Sequence, residues 1–161
     1  MGPKLVITSI IITAAVCAVA WVGDQTGSTL YGIPLMTAMA LGIFGVQWVG
    51  LIHARLFETE HYFDLVGSLT YITVTLFAVQ QAAEIGLRQQ IIAGVVIVWA
   101  ARLGPFLFRR IQKAGEDRRF RKIKLSTPRF LVTWTLQGTW VFLTAGAALA
   151  AIMTTLSLIH I

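Results

Sequence analysis

Glu60, Asp64, Gly67 and Tyr71 follow one another at i, i+4, i+7 and i+11. On a helix that spacing places two carboxylates, a gap and a phenol on one face. The residues lie in an apolar stretch, where an ionisable group near a helix centre costs roughly 2.5–3.5 kcal/mol on insertion scales and so needs a reason to be there. Such groups can hold or donate a proton to a reacting molecule. Plainer readings stand beside that one: Glu60 as the dipole partner of a helix start, Asp64 as a near-interface residue, Tyr71 as a core phenol. A second polar stripe, Thr133, Gln137, Trp140 and Thr144, runs through another apolar stretch. Arg102 stands seven residues before Arg109, about 10 Å deeper by helical rise, and either serves a site or extends its guanidinium to the headgroups. Gly104-Pro105 follows it, and the proline predicts a kink there. Gln47 and His53 fall at the same depth, so four helices send polar groups to one half of a membrane.

Five spans must carry these residues, because a hydrocarbon core of about 30 Å needs about 20 apolar residues. They are predicted at 4–23, 33–53, 62–81, 89–110 and 129–153. The composition agrees: 57% hydrophobic and 12% charged, against roughly 25% charged in a soluble domain. The expected fold is therefore all-α, a polytopic transmembrane helical bundle, with residues 1–155 as one domain. The first span also fits a secretory signal peptide cleaved near Ala18-Val19-Ala20, although its single Lys4 is a thin basic region. Cys17 has no partner at disulfide or zinc spacing, and no metal site is expected.

The run RRIQKAGEDRRFRKIK at 109–124 concentrates the charge. Residues 102–129 hold ten of the 13 Lys/Arg and two of the seven acids, a window of +8 in a chain of +6. Basic residues interleaved with spans of this length exclude a nucleic-acid-binding domain. The bias instead predicts that the 109–129 loop is cytoplasmic, with anionic-lipid contacts as its default role. Gly115 is expected to end the fourth helix, Glu116 and Asp117 to open a short helix closed by Arg121, Lys122 and Lys124, and Thr127 to cap the fifth with Pro128 in its first turn. Arg88 in the 82–88 loop departs in sign from that topology, balanced by Glu84.

Three stretches, TEHYFDLVGSLTY at 59–71, WAARLGPFLFRRIQKAGEDRRFRKIK at 99–124 and TWTLQGTWVFLT at 133–144, together resemble the DUF1295 family of steroid 5-alpha-reductase-like integral membrane oxidoreductases. The resemblance covers about 59–155. It implies a helical bundle that binds NADPH from the cytoplasmic side and reduces a carbon–carbon double bond conjugated to a carbonyl in a lipophilic, steroid-like substrate. By this resemblance Arg102, Arg118 and Arg119 are candidates for the cofactor's phosphates, with Glu116 and Asp117 orienting them or accepting from ribose hydroxyls. Glu60 and Tyr71 become the candidate catalytic pair, and Asp64 and Gln137 candidate substrate-binding residues. The family's carboxy-terminal half, with its Pro-Asn-Tyr-type motif, is missing. The expectation is thus a truncated chain that does not turn over by itself, with 156–161 a non-native tail. The resemblance further implies a bacterial inner-membrane location, with membrane lipids and a small lipophilic substrate as partners. A different class, a non-enzymatic lipid-binding or transport module, predicts that Asp64 and Arg102 can be neutralised without effect.

Overall fold

The computed structural model describes residues 2–24 and 26–154. Five helices follow in order: α1 (Gly2–Val22), α2 (Leu35–Leu56), α3 (Phe63–Gln81), α4 (Leu87–Ala114) and α5 (Thr127–Met153). All five are long and apolar enough to cross a membrane. The five predicted spans correspond to them one for one, with bounds moved by a few residues. Outward faces keep their apolar character, as at Ile10, Val49, Val98 and Leu143, which are exposed. A bundle with an apolar exterior is one whose solvent is lipid.

Small residues let the helices meet. A side chain at Gly50 would overlap the ring of Trp134, and one at Gly67 would overlap the Gln137 amide. Gly104 faces Ser68 and Gly138 faces Phe44 in the same manner. Without a hydrophobic force between helices in lipid, such close backbone approach is a principal source of association. The Gly104 contact belongs to a face of α4 turned to α3, and α4 runs unbroken through Pro105. The main core combines Met39, Ile43 and Phe44 of α2 with Val74 of α3 and Val141 and Leu149 of α5.

The two ends of the bundle are built differently. At one end, residues 115–126 cross between α4 and α5 as successive turns, with Phe120 N–H donating to Asp117 O at 2.9 Å and Lys124 N–H to Phe120 O at 3.0 Å. The short helix expected there is absent from the described residues. Two of its cations, Arg119 and Lys124, instead reach Asp64 and Glu60 outside the loop, and Phe120, only 2% exposed, is buried beneath it. Gly115 does end α4, at φ 76. The cap of α5 falls on Ser126, one residue earlier than expected, and its side chain makes no capping hydrogen bond.

At the other end, a two-residue pairing of Thr29–Leu30 with Ile33–Pro34 (β1 and β2) turns through Tyr31 and Gly32, both at positive φ. Paired left-handed residues match the twist of so tight a hairpin. Asp24 accepts from Thr26 N–H at 2.8 Å and from Met36 N–H at 3.0 Å, capping α2 from twelve residues away. Burial raises the Asp24 carboxyl, but these hydrogen bonds outweigh it and hold the group below the usual aspartate value. Arg88 donates to the carbonyls of Ala151 at 3.1 Å and Thr154 at 2.8 Å. Those oxygens lie at the end of α5, where a helix leaves its last carbonyls unpaired. A cation at that end therefore has a structural reason that the loop-charge pattern does not register.

Candidate functional site

The basic loop is fastened to the start of α3. Arg119 lies between two carboxylates: Asp117, which accepts from its Nε at 2.9 Å, and Asp64, which accepts from its Nη2 at 2.8 Å. Lys124 Nζ donates to Glu60 Oε2 at 2.9 Å, and Arg55 donates to the Lys124 carbonyl at 3.1 Å. His61 joins the same seam: its Nε2 is 3.2 Å from the Gly115 carbonyl and its Nδ1 2.8 Å from the Thr59 hydroxyl. Because a carbonyl only accepts, Nε2 carries the proton in that contact. Beneath these polar ties, Phe120 packs on Phe63 at 4.8 Å and on Phe130 at 5.9 Å between ring centres.

The pairs set the acidity of the loop. Burial raises Asp117, but the hydrogen bonds from the Arg119 side chain and backbone N–H prevail and lower it. Its bond to Asp117, and next to that the charge of Asp64, hold Arg119 protonated more firmly than a free arginine. Glu116 is lowered chiefly by its hydrogen bond from Arg121.

Below Arg119 a cleft of about 430 Å³ opens between α3, α4 and α5. Its polar groups come from Asp64, Ser68, Tyr71 and Gln137, and Trp99 and Trp140 are among its apolar walls. Gln137 Nε2 donates to the Phe63 carbonyl at 2.9 Å, while its buried Oε1 has no partner among the described residues. Tyr71 shares a short hydrogen bond with Thr144 and meets the edge of Trp99 at 5.0 Å. Since the Thr144 hydroxyl donates to the Trp140 carbonyl at 2.7 Å, its one proton is used there, and the phenol is the donor to Thr144.

Asp64, Tyr71, Gln137 and Arg119 thus meet at one cleft. Glu60 does not join them: α3 begins at Phe63, so Glu60 precedes the helix and is off the face that the spacing suggested. It is 2% exposed and held by Lys124, and Tyr71 lies a further eight residues along α3, about 12 Å in rise. Arg102 is exposed on α4 and makes no hydrogen bond or ion pair among the described residues. Arg118 is exposed beside Arg119, and Glu116 holds Arg121. Lys124, Thr144, Trp99 and Phe120, which the residue patterns did not single out as a unit, complete the arrangement. Of these, Thr144 was visible in the stripe on α5, and the other three acquire their partners only in the folded chain. Among the described residues no cluster of His, Cys, Asp and Glu has the makings of a metal site.

Fold and cleft define a polytopic helical membrane protein with an apolar cavity that carries a few polar groups beneath an arginine-rich loop. Residues 50–159 match the family described as Protein of unknown function (DUF1295), and the chain belongs to that family. No curated protein and no solved structure matches it.

Proposed function

We propose that the protein is an NADPH-dependent membrane reductase of the steroid 5-alpha-reductase-like kind, acting on a carbon–carbon double bond conjugated to a carbonyl in a lipophilic substrate. The observation that carries the reading is the cleft between α3, α4 and α5: apolar walls, with a carboxylate, a phenol and an amide grouped along them, under a loop rich in guanidinium groups. NADPH, when bound, supplies the hydride.

The chain's own share is positioning and polarisation. Tyr71 donates to the substrate carbonyl in place of Thr144 and stabilises the negative charge that develops on that oxygen. The open acceptor on Gln137 suits a donor such as a carboxamide N–H. Arg118, exposed and next in sequence to Arg119, suits a phosphate, whereas Arg119 is committed to Asp64 and Asp117 and acts by holding the loop on the cleft. Asp64, rather than Glu60, shares the cleft with Tyr71 and takes the acidic role there. Arg102, on an outer face, is assigned to headgroup contact. The basic end is cytoplasmic on the strength of its lysines and arginines, and the membrane is a bacterial inner membrane.

The test is consumption of NADPH by membranes containing the protein, with a 4-en-3-one steroid and a linear prenyl enone as probes. Enone-dependent oxidation that falls at least about a hundredfold in Tyr71→Phe, as loss of a proton donor predicts, supports the reading. No oxidation above membranes lacking the protein contradicts it.

A further inference from the structure

A second cavity, of about 380 Å³, lies between α2 and α3, on another side of the bundle from the cleft. It is walled by apolar groups such as Gly50, Ala54, Phe63 and Val66. Val46, Val49 and Leu69 also line it and are exposed. In a membrane it therefore opens sideways onto acyl chains, and its volume is within the usual range of ligand pockets, about 300–1,000 Å³. Its upper boundary is Thr59 and Tyr62, and both residues also line a polar hollow at the basic end, together with His61, Gln112 and Gly115. Tyr62 stacks on Phe108 at 5.5 Å and meets His53 edge-on at 5.8 Å, standing where the apolar and polar parts join. Trp134, in the apolar wall, has a buried indole N–H with no acceptor among the described residues.

Charge decides what the pair of cavities suits. Phe108 and Gln112 line the polar hollow, and Arg109 and Lys113 each follow one of them on the last turns of α4. Neither makes an ion pair among the described residues, in contrast to Arg119, Arg121 and Lys124 of the loop. An apolar slot open to the bilayer, a hydrogen-bonding step and two uncommitted cations beyond it follow the order of parts in an anionic phospholipid: acyl chain, ester, phosphate.

We propose that this region is a binding site for one anionic glycerophospholipid drawn from the surrounding leaflet, with an acyl chain between α2 and α3 and its phosphate beside Arg109 and Lys113. The site shares only Phe63 with the cleft, and the proposal does not rest on the reductase reading. A lipid seated there packs against Tyr62 and Phe63, at the base of the seam that holds the basic loop.

Native mass spectrometry of the purified chain in mild detergent, supplied with phosphatidylglycerol or phosphatidylcholine of identical acyl chains, tests it. The expected result is one retained phosphatidylglycerol per chain, favoured over phosphatidylcholine by roughly tenfold or more, the scale of two cations near a phosphate. Val49→Trp, which fills the mouth from an exposed position, abolishes retention of both lipids. The double variant Arg109→Gln/Lys113→Gln keeps the retention and loses the preference. Should Val49→Trp fail to fold, Leu69→Trp from the facing helix makes the same test. Equal retention of the two lipids by the unaltered chain, or undiminished phosphatidylglycerol on a folded filled variant, overturns the proposal.

Discussion

The two ends of this bundle solve the same problem, closing helices where they leave the membrane, by different chemistry. At the far end side chains bond to backbone: Asp24 caps α2 and Arg88 caps the carbonyls of α5. At the basic end carboxylates bond to cationic side chains, Asp64 to Arg119, Glu60 to Lys124 and Glu116 to Arg121, with Arg55 and His61 adding bonds to loop carbonyls. A backbone cap has one partner fixed by the helix, whereas a guanidinium between carboxylates can exchange one anion for another. The far end is therefore tied by bonds that only the helix ends can satisfy, and the basic end by ion pairs whose anionic partner is exchangeable.

That contrast can be broken by substitution. The largest effect is expected at Phe120, because the basic end relies on its burial beneath the loop: Phe120→Ala should cost about 3–5 kcal/mol, the usual range for emptying a buried aromatic site. Reversible unfolding in mixed micelles measures it, and a cost under about 1 kcal/mol would mean that the ion pairs alone hold the loop.

At the far end Arg88→Ala should cost about 1.5–3 kcal/mol, as expected for hydrogen bonds made by a charged group. Asp24→Ala should cost about 1 kcal/mol, the usual worth of a helix cap. The second loss should depend on pH. The folded Asp24 carboxyl lies below its ordinary value, so its contribution is full above the unfolded value of about 3.9 and disappears as pH falls through the folded one. Unaltered and Asp24→Ala proteins should consequently converge in stability at low pH. A difference that persists there would assign the effect to packing.

The smallest stability effect is expected at Asp64→Asn. Arg119 is 53% exposed and keeps Asp117, and partly exposed pairs contribute about 0–1 kcal/mol. If the protein is the reductase proposed above, the same substitution lowers enone-dependent NADPH oxidation strongly, and the basic end then separates stability from function.

Hydropathy made the five helices legible, because the length of an apolar run is a property of the sequence alone. Helical spacing put Asp64 and Tyr71 on one face, and in the fold both line one cleft with Gln137 of α5, whereas Gln47, His53 and Arg102 do not line it. The partners were not legible. Asp64 and Arg119 are 55 residues apart and Glu60 and Lys124 are 64 apart, and nothing in their local spacing selects one pairing over another. Glu60 falls off the face that its spacing suggested because α3 begins only at Phe63. Residues 116–124 form turns rather than the helix their dipole-favoured order of charges suggested, with Arg119 and Lys124 paired to Asp64 and Glu60 and Phe120 buried. The role of Arg88 was hidden for the opposite reason: topology rules count loop charge, and this charge belongs to the end of α5.

The central claim, that the basic loop forms one wall of a nucleotide site, is tested most directly by titrating membranes that contain the protein with NADPH and following nicotinamide fluorescence. Saturable binding is predicted, weakened roughly tenfold or more when Arg118 is changed to Gln, the scale of losing one charge-assisted phosphate contact, with thermal stability unchanged. Absence of saturable binding to a folded protein, or binding indifferent to Arg118→Gln, would contradict it.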